Sequence, residues 1–152
     1  MRVAFFHGLD SKPITSKNWA LRQVFDEVYD PVMNYDNPRM FDLVLKHLED
    51  NPVDLLIGSS MGGYFAYCLS THLGIKTLLF NPAVHSRSIE PVVSLGSKES
   101  THLVVLGNGD DIIRPELTEE FFNKVGGTNI IIREDIGHII PIEVFKNYIK
   151  LY

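Results

Sequence analysis

Ser60 stands in Gly58-Ser59-Ser60-Met61-Gly62, flanked at two-residue spacing by glycines, with the apolar run Leu55-Leu56-Ile57 before it and a helix-like run from Tyr64 to Leu73 after it. That context describes a sharp strand-to-helix turn that leaves a serine hydroxyl exposed, the glycines allowing neighbouring backbone to come close. The start of the following helix favours negative charge at the same point. The competing structural explanation is a glycine-rich turn with a capping serine. A serine hydroxyl is a weak nucleophile near neutral pH and needs a base beside it. An imidazole suits the task, since its ordinary pKa of about 6.5 lets it take and return a proton.

Six histidines are available. His47 and His72 fall in helical segments as surface or packing residues, and His102 precedes an apolar run. His85 lies in a long connection, where it is either solvated or in contact with substrate. His138 differs: it follows the last apolar run in Asp135-Ile136-Gly137-His138, at the strand end where chemistry gathers in open α/β sheets. A carboxylate to orient that imidazole is expected at another strand end. Leu103 to Leu106 leads into Gly107-Asn108-Gly109-Asp110-Asp111, and by position either Asp110 or Asp111 serves. An oxyanion would need backbone donors, and the amides of Leu9, in the loop after the first apolar run, and Met61, directly after the nucleophile, are placed for it. His7, Gly8, Tyr64 and His85 complete the candidate set as substrate-contacting positions, with His7 alternatively bracing its loop.

These side chains lie far apart along the chain, so a scaffold must bring them together. Val3–Phe6, 55–57, 78–80, 103–106 and 130–132 are continuously apolar, as strands covered on both faces are. Val28–Tyr35 is a weaker, edge-type candidate because it contains Pro31. Between them the period becomes helical: Ala20, Leu21, Val24, Phe25 and Val28; Met40, Phe41, Val44, Leu45 and Leu48; Leu117, Phe121, Phe122 and Val125; Ile142, Phe145 and Ile149. Each set makes one apolar stripe for a sheet to cover. The expectation is one α/β domain over residues 1–152, with a doubly wound, mostly parallel six-stranded sheet and helices on both faces. Asn81 to His102 is the one long connection.

Composition narrows the partners. Fourteen Lys+Arg against 19 Asp+Glu give a net charge of −5, and no two basic residues are adjacent, which disfavours a nucleic-acid groove. No apolar stretch is long enough to span a bilayer. The single cysteine, Cys68, allows no internal disulfide, so a cytoplasmic setting is expected.

The order Ser60, then Asp110 or Asp111, then His138 is that of α/β-hydrolases. Phe5-Phe6-His7-Gly8-Leu9-Asp10-Ser11-Lys12-Pro13, Gly58-Ser59-Ser60-Met61-Gly62-Gly63-Tyr64, Asn81-Pro82-Ala83-Val84, Gly109-Asp110-Asp111-Ile112 and Gly137-His138 together resemble the small esterases of the YqiA/YcfP type. The resemblance implies a minimal hydrolase core with little or no lid, acting on carboxylic esters or acyl thioesters without metal or organic cofactor. It also implies Asp110 rather than Asp111 as the acid of a Ser60–His138–Asp110 triad. Two other readings compete. A non-catalytic binding module on a hydrolase-like fold would not need all three side chains. A phosphate loop would need a lysine after Gly63, where Tyr64 stands.

Overall fold

Successive residues of β1 (Arg2–Phe6) point into two different cores: Val3 and Phe5 into one, Ala4 and Phe6 into the other. The same alternation divides Leu55 and Ile57 from Leu56 in β3 (Leu55–Ser59), and Leu103 and Val105 from Val104 and Leu106 in β5 (Thr101–Gly107). A strand buried on both faces has no polar side to show, which is why these runs are continuously apolar. β2 (Glu27–Tyr29), β4 (Thr77–Phe80) and β6 (Thr128–Glu134) complete a six-stranded, all-parallel sheet in the order β2-β1-β3-β4-β5-β6. This computed structural model describes residues 1–9 and 15–152. The Asp10–Pro13 part of the first motif lies outside the described residues.

Helices cover both faces. α2 (Met40–Asp50), α3 (Met61–Leu73) and α4 (Pro115–Lys124) bury Phe41, Val44, Leu48, Phe65, Leu69 and Phe122 against one face. α1 (Ser16–Val24) and α5 (Ile142–Ile149) bury Ala20, Leu21, Phe145 and Ile149 against the other. The first face centres on Phe65, whose ring meets those of Phe6, Tyr35 and Phe41 at centroid distances of 5.6, 5.8 and 5.3 Å. Truncating such a residue to alanine costs roughly 3–5 kcal/mol.

Three sequence expectations need correction. The first helical stripe overreaches: α1 stops at Val24, Phe25 caps it in extended conformation, and Val28 belongs to β2, although both residues still pack on the face that α1 covers. The edge strand is only Glu27–Tyr29 and ends before Asp30-Pro31. His102 lies within β5 rather than before it, buried, with Nδ1 2.9 Å from Thr77 Oγ1. Burial of that imidazole lowers its pKa to about 4. The β4–β5 connection, 81–100, contains no helix, so no helical lid rises from it. Among the described residues, no helix is long and apolar enough to cross a membrane.

Candidate active site

Strand order reverses direction at β1, with β2 on one side and β3 on the other, and the carboxyl ends of β1 and β3 meet there. Ligands bind at such a switch point in open parallel sheets. Ser60 sits there between β3 and α3, with φ 55° and ψ −119°. A non-glycine residue in that region costs of order 1–3 kcal/mol and persists only when its surroundings hold it. Here its amide donates to Phe80 O (2.9 Å), and its carbonyl accepts from the amides of Gly63, Tyr64 and Ala83 (3.0, 3.2 and 2.9 Å). The flanking glycines are required by contact. A Cβ on Gly62 would lie 2.0 Å from the Phe6 carbonyl oxygen, and one on Gly58 would lie 2.3 Å from that of Gly62.

Asp110 and His138 meet across the loops after β5 and β6. His138 Nδ1 lies 2.8 Å from Asp110 Oδ2, and the Asp110 side chain is wholly shielded from solvent. Asp110 Oδ1 accepts the amides of Ile112 and Ile113 at 2.9 and 2.8 Å. Since an ionised carboxylate only accepts, Nδ1 carries the imidazole proton and Nε2 is left with its lone pair. Asp111, the other candidate, is exposed. Gly107 lets the two loops approach: a Cβ there would stand 2.5 Å from Ile136 O and 2.6 Å from Gly137 O.

A residue that sequence reasoning left without a role holds this loop in place. Asn81, buried at the end of β4 with φ 42°, donates from Nδ2 to the carbonyls of Gly137 (3.1 Å) and His138 (3.0 Å) and accepts the Gly107 amide on Oδ1 (2.8 Å). One amide side chain thus ties the strand beside the elbow to both loops carrying the Asp110–His138 pair. The signal in the sequence was an Asn-Pro pair directly after an apolar run.

Ser60 and His138 line one cavity of about 580 Å³, together with Gly8, Leu9, Met61, Ala83, Ile112, Ile113 and Ile139 among others. No hydrogen bond joins the Ser60 hydroxyl to His138; such bonds are often long before substrate binds. Among the described residues, neither the Leu9 nor the Met61 amide has a hydrogen-bond acceptor. A second cavity of about 260 Å³, lined by Phe5, His7, Ile140 and Ile142, shares Gly8, Lys17, Ser59 and Ile139 with the first.

Of the four expected substrate contacts, only Gly8 lines the larger cavity. The His7 ring is fully engaged: Nδ1 lies 2.7 Å from Gly8 O, and Nε2 accepts the Met33 amide at 3.0 Å. Tyr35 also donates its hydroxyl to the His7 carbonyl, so His7 braces the loop. Tyr64 is covered by the Arg87 guanidinium, 4.1 Å from its ring centroid. His85 Nε2 lies 3.1 Å from Arg114 O, tying the β4–β5 connection to the start of α4. Burial pushes the Cys68 thiol up to about 12, which keeps it protonated and inert.

The model of the uncharacterised protein family UPF0227 matches residues 2–101. No curated protein matches the chain. Among solved structures, a Xanthomonas campestris pv. campestris protein assigned to the alpha/beta hydrolase superfamily is 18% identical with TM-score 0.70, over 99% of this chain and 98% of that one. Alpha/beta hydrolase domain-containing protein 10 from mouse is 12% identical with TM-score 0.76, over 99% and 87%. The esterase domain of a Rhodothermus marinus protein is 14% identical with TM-score 0.69, over 99% and 83%. The chain has the α/β-hydrolase fold and belongs to family UPF0227, the YqiA/YcfP family.

Proposed function

We propose that the protein is a serine hydrolase that cleaves carboxylic esters, acyl thioesters included, through an acyl-enzyme. The observation that carries this reading is the buried Asp110–His138 hydrogen bond of 2.8 Å, with His138 on the wall of the cavity that Ser60 also lines. The fold shared with an esterase domain supports it.

In the proposed reaction, Ser60 Oγ attacks the acyl carbonyl carbon while His138 Nε2 takes the hydroxyl proton. Asp110 holds the imidazole in the useful tautomer and stabilises the imidazolium. The amides of Leu9 and Met61 donate to the oxyanion as the carbonyl π pair moves onto oxygen. When the tetrahedral intermediate collapses, His138 returns the proton to the leaving alcohol or thiol, and the acyl group stays on Ser60. Water, deprotonated by the same Nε2, then attacks the acyl-enzyme carbonyl carbon; as the acyl–Oγ bond breaks, Nε2 returns that proton to Ser60 Oγ and the acid leaves. All the proton transfers use groups of this chain and the two substrates. Ser60→Ala should abolish turnover of p-nitrophenyl acetate above background, measured as released nitrophenolate. Full activity in that variant would reject the nucleophile.

A further inference from the structure

The chain carries a net charge of −5, yet the described ionisable residues lining the Ser60 cavity, apart from His138, are two cations, Lys17 and Arg87. The two are held differently. Arg87 is already engaged: its Nε donates to Glu90 at 3.0 Å, one terminal nitrogen donates to Ala83 O at 3.0 Å, and its guanidinium covers Tyr64. Lys17 is half-buried on the first turn of α1 and lines both the larger cavity and the smaller one beside it. Among the described residues it has no carboxylate partner, and its Nζ lies 5.8 Å from the centroid of the Phe145 ring. Holding an ammonium in a cavity wall is costly unless something of opposite charge faces it.

We propose that the substrate of this site carries an anionic group, a carboxylate or phosphate on the ester or thioester, and that Lys17 receives it. The inference rests on the serine-hydrolase reading and names its substrate class. Burial lowers the Lys17 pKa, and an anion arriving beside it would favour the charged form again. Arg87 adds positive potential from the opposite strand-end connection, partly offset by Glu90. The rest of the wall, with Ile112, Ile113 and Ile139, suits an apolar acyl or leaving group, so the ligand is amphiphilic: a hydrocarbon portion with one charged end. A charge-assisted contact of this kind is worth about tenfold or more in specificity.

The test uses paired esters in which a carboxylate is set against its methyl ester, each pair compared between wild type and Lys17→Gln. Mono-p-nitrophenyl glutarate against its methyl ester places the anion on the acyl side, and p-carboxyphenyl butyrate against its methyl ester places it on the leaving side. The wild-type protein should favour the charged member of at least one pair by about tenfold or more in kcat/KM at low ionic strength. That ratio should shrink as salt is added, fall towards one in Lys17→Gln, and be largely restored in Lys17→Arg. Using a ratio cancels any loss common to both esters. A separate readout needs no turnover: Ser60→Ala protein should bind monomethyl glutarate about tenfold more tightly than dimethyl glutarate by calorimetry. Equal ratios in wild type and Lys17→Gln, or a wild-type preference for the neutral members, would overturn the proposal even with ester turnover intact. Loss of all turnover with the charge-dependent binding retained would instead fault the hydrolase reading alone.

Discussion

The two edges of the sheet carry hollows of nearly equal size: about 580 Å³ around Ser60 at the carboxyl edge and about 560 Å³ at the amino edge, lined by Asp54, Gly74, Lys76, Glu99 and Gly127. They differ in how the chain is held. At the amino edge the left-handed positions are glycines, Gly74 at φ 71° and Gly127 at φ 90°, which adopt such angles without strain. Among the described residues, those at the carboxyl edge are Ser60 and Asn81, and a serine there is strained. The carboxyl edge also keeps a carboxylate wholly out of water beside an imidazole, whereas Asp54 and Glu99 are exposed. Volume alone therefore does not mark a site. Strained backbone held by its neighbours, together with a buried ionisable pair, does.

The sharpest way to break this contrast is through the carboxylates. Asp110→Asn should lower kcat on an activated ester by about 10³–10⁴-fold, because the amide cannot hold the same imidazole tautomer. Asp111→Asn, exposed and one residue away, should stay within about twofold of wild type. A collapse in the second variant and none in the first would reverse the assignment.

Two glycines, one held by contact at the carboxyl edge and one by its φ at the amino edge, can be compared directly. Gly62→Ala drives a Cβ to 2.0 Å from a backbone oxygen, so it should cost more than about 3 kcal/mol in urea unfolding or prevent folding. Gly74→Ala meets nothing nearer than Lys98 Cδ at 3.4 Å and pays only for its positive φ, about 1–2 kcal/mol. Similar losses at both positions would remove the distinction.

Asn81 tests whether the clasp positions the imidazole or only stabilises the fold. Asn81→Ala should lower kcat about 10–100-fold with KM little changed. It should also shift the acidic limb of the kcat/KM–pH profile, which a purely structural loss would leave in place.

A pH-dependent effect lies near the amino edge, at His102, beside Thr77 in the register of β5 with β4. Free histidine titrates near 6.5, whereas burial holds this one down to about 4. Between those values the unfolded chain takes up a proton that the folded chain does not. Stability is therefore full above about pH 6.5 and declines as the pH falls towards 4. Thermal melts across that range should show a slope that flattens in His102→Asn.

β1, β3, β4 and β5 were legible because burial on both faces leaves an unbroken apolar run. β6 showed the same kind of run in Ile130–Ile132 although it is a partly exposed edge strand, and β2 was blurred because three edge residues beside Asp30-Pro31 carry little pattern. The glycine-flanked turn at Ser60 and the strand-end positions of Asp110 and His138 were also legible, since local spacing encodes them. Choosing Asp110 over Asp111 needed family likeness in the sequence, whereas the structure separates them by burial and by the bond to His138. Strand order is set by tertiary packing and leaves no local trace. Asn81 escaped for the same reason: the groups its side chain binds lie 26, 56 and 57 residues further along the chain. His7 and His85 were each open to two readings because a histidine in a loop near a site reads alike whether its ring is free or, as here, engaged with backbone.

The most direct test of the central claim is covalent labelling by a fluorophosphonate, with the modified residue located by mass spectrometry. A single adduct on Ser60, absent in Ser60→Ala and strongly slowed in His138→Ala, is the predicted result. Folded wild-type protein that stays unlabelled, or that carries the adduct on another residue, would contradict the account.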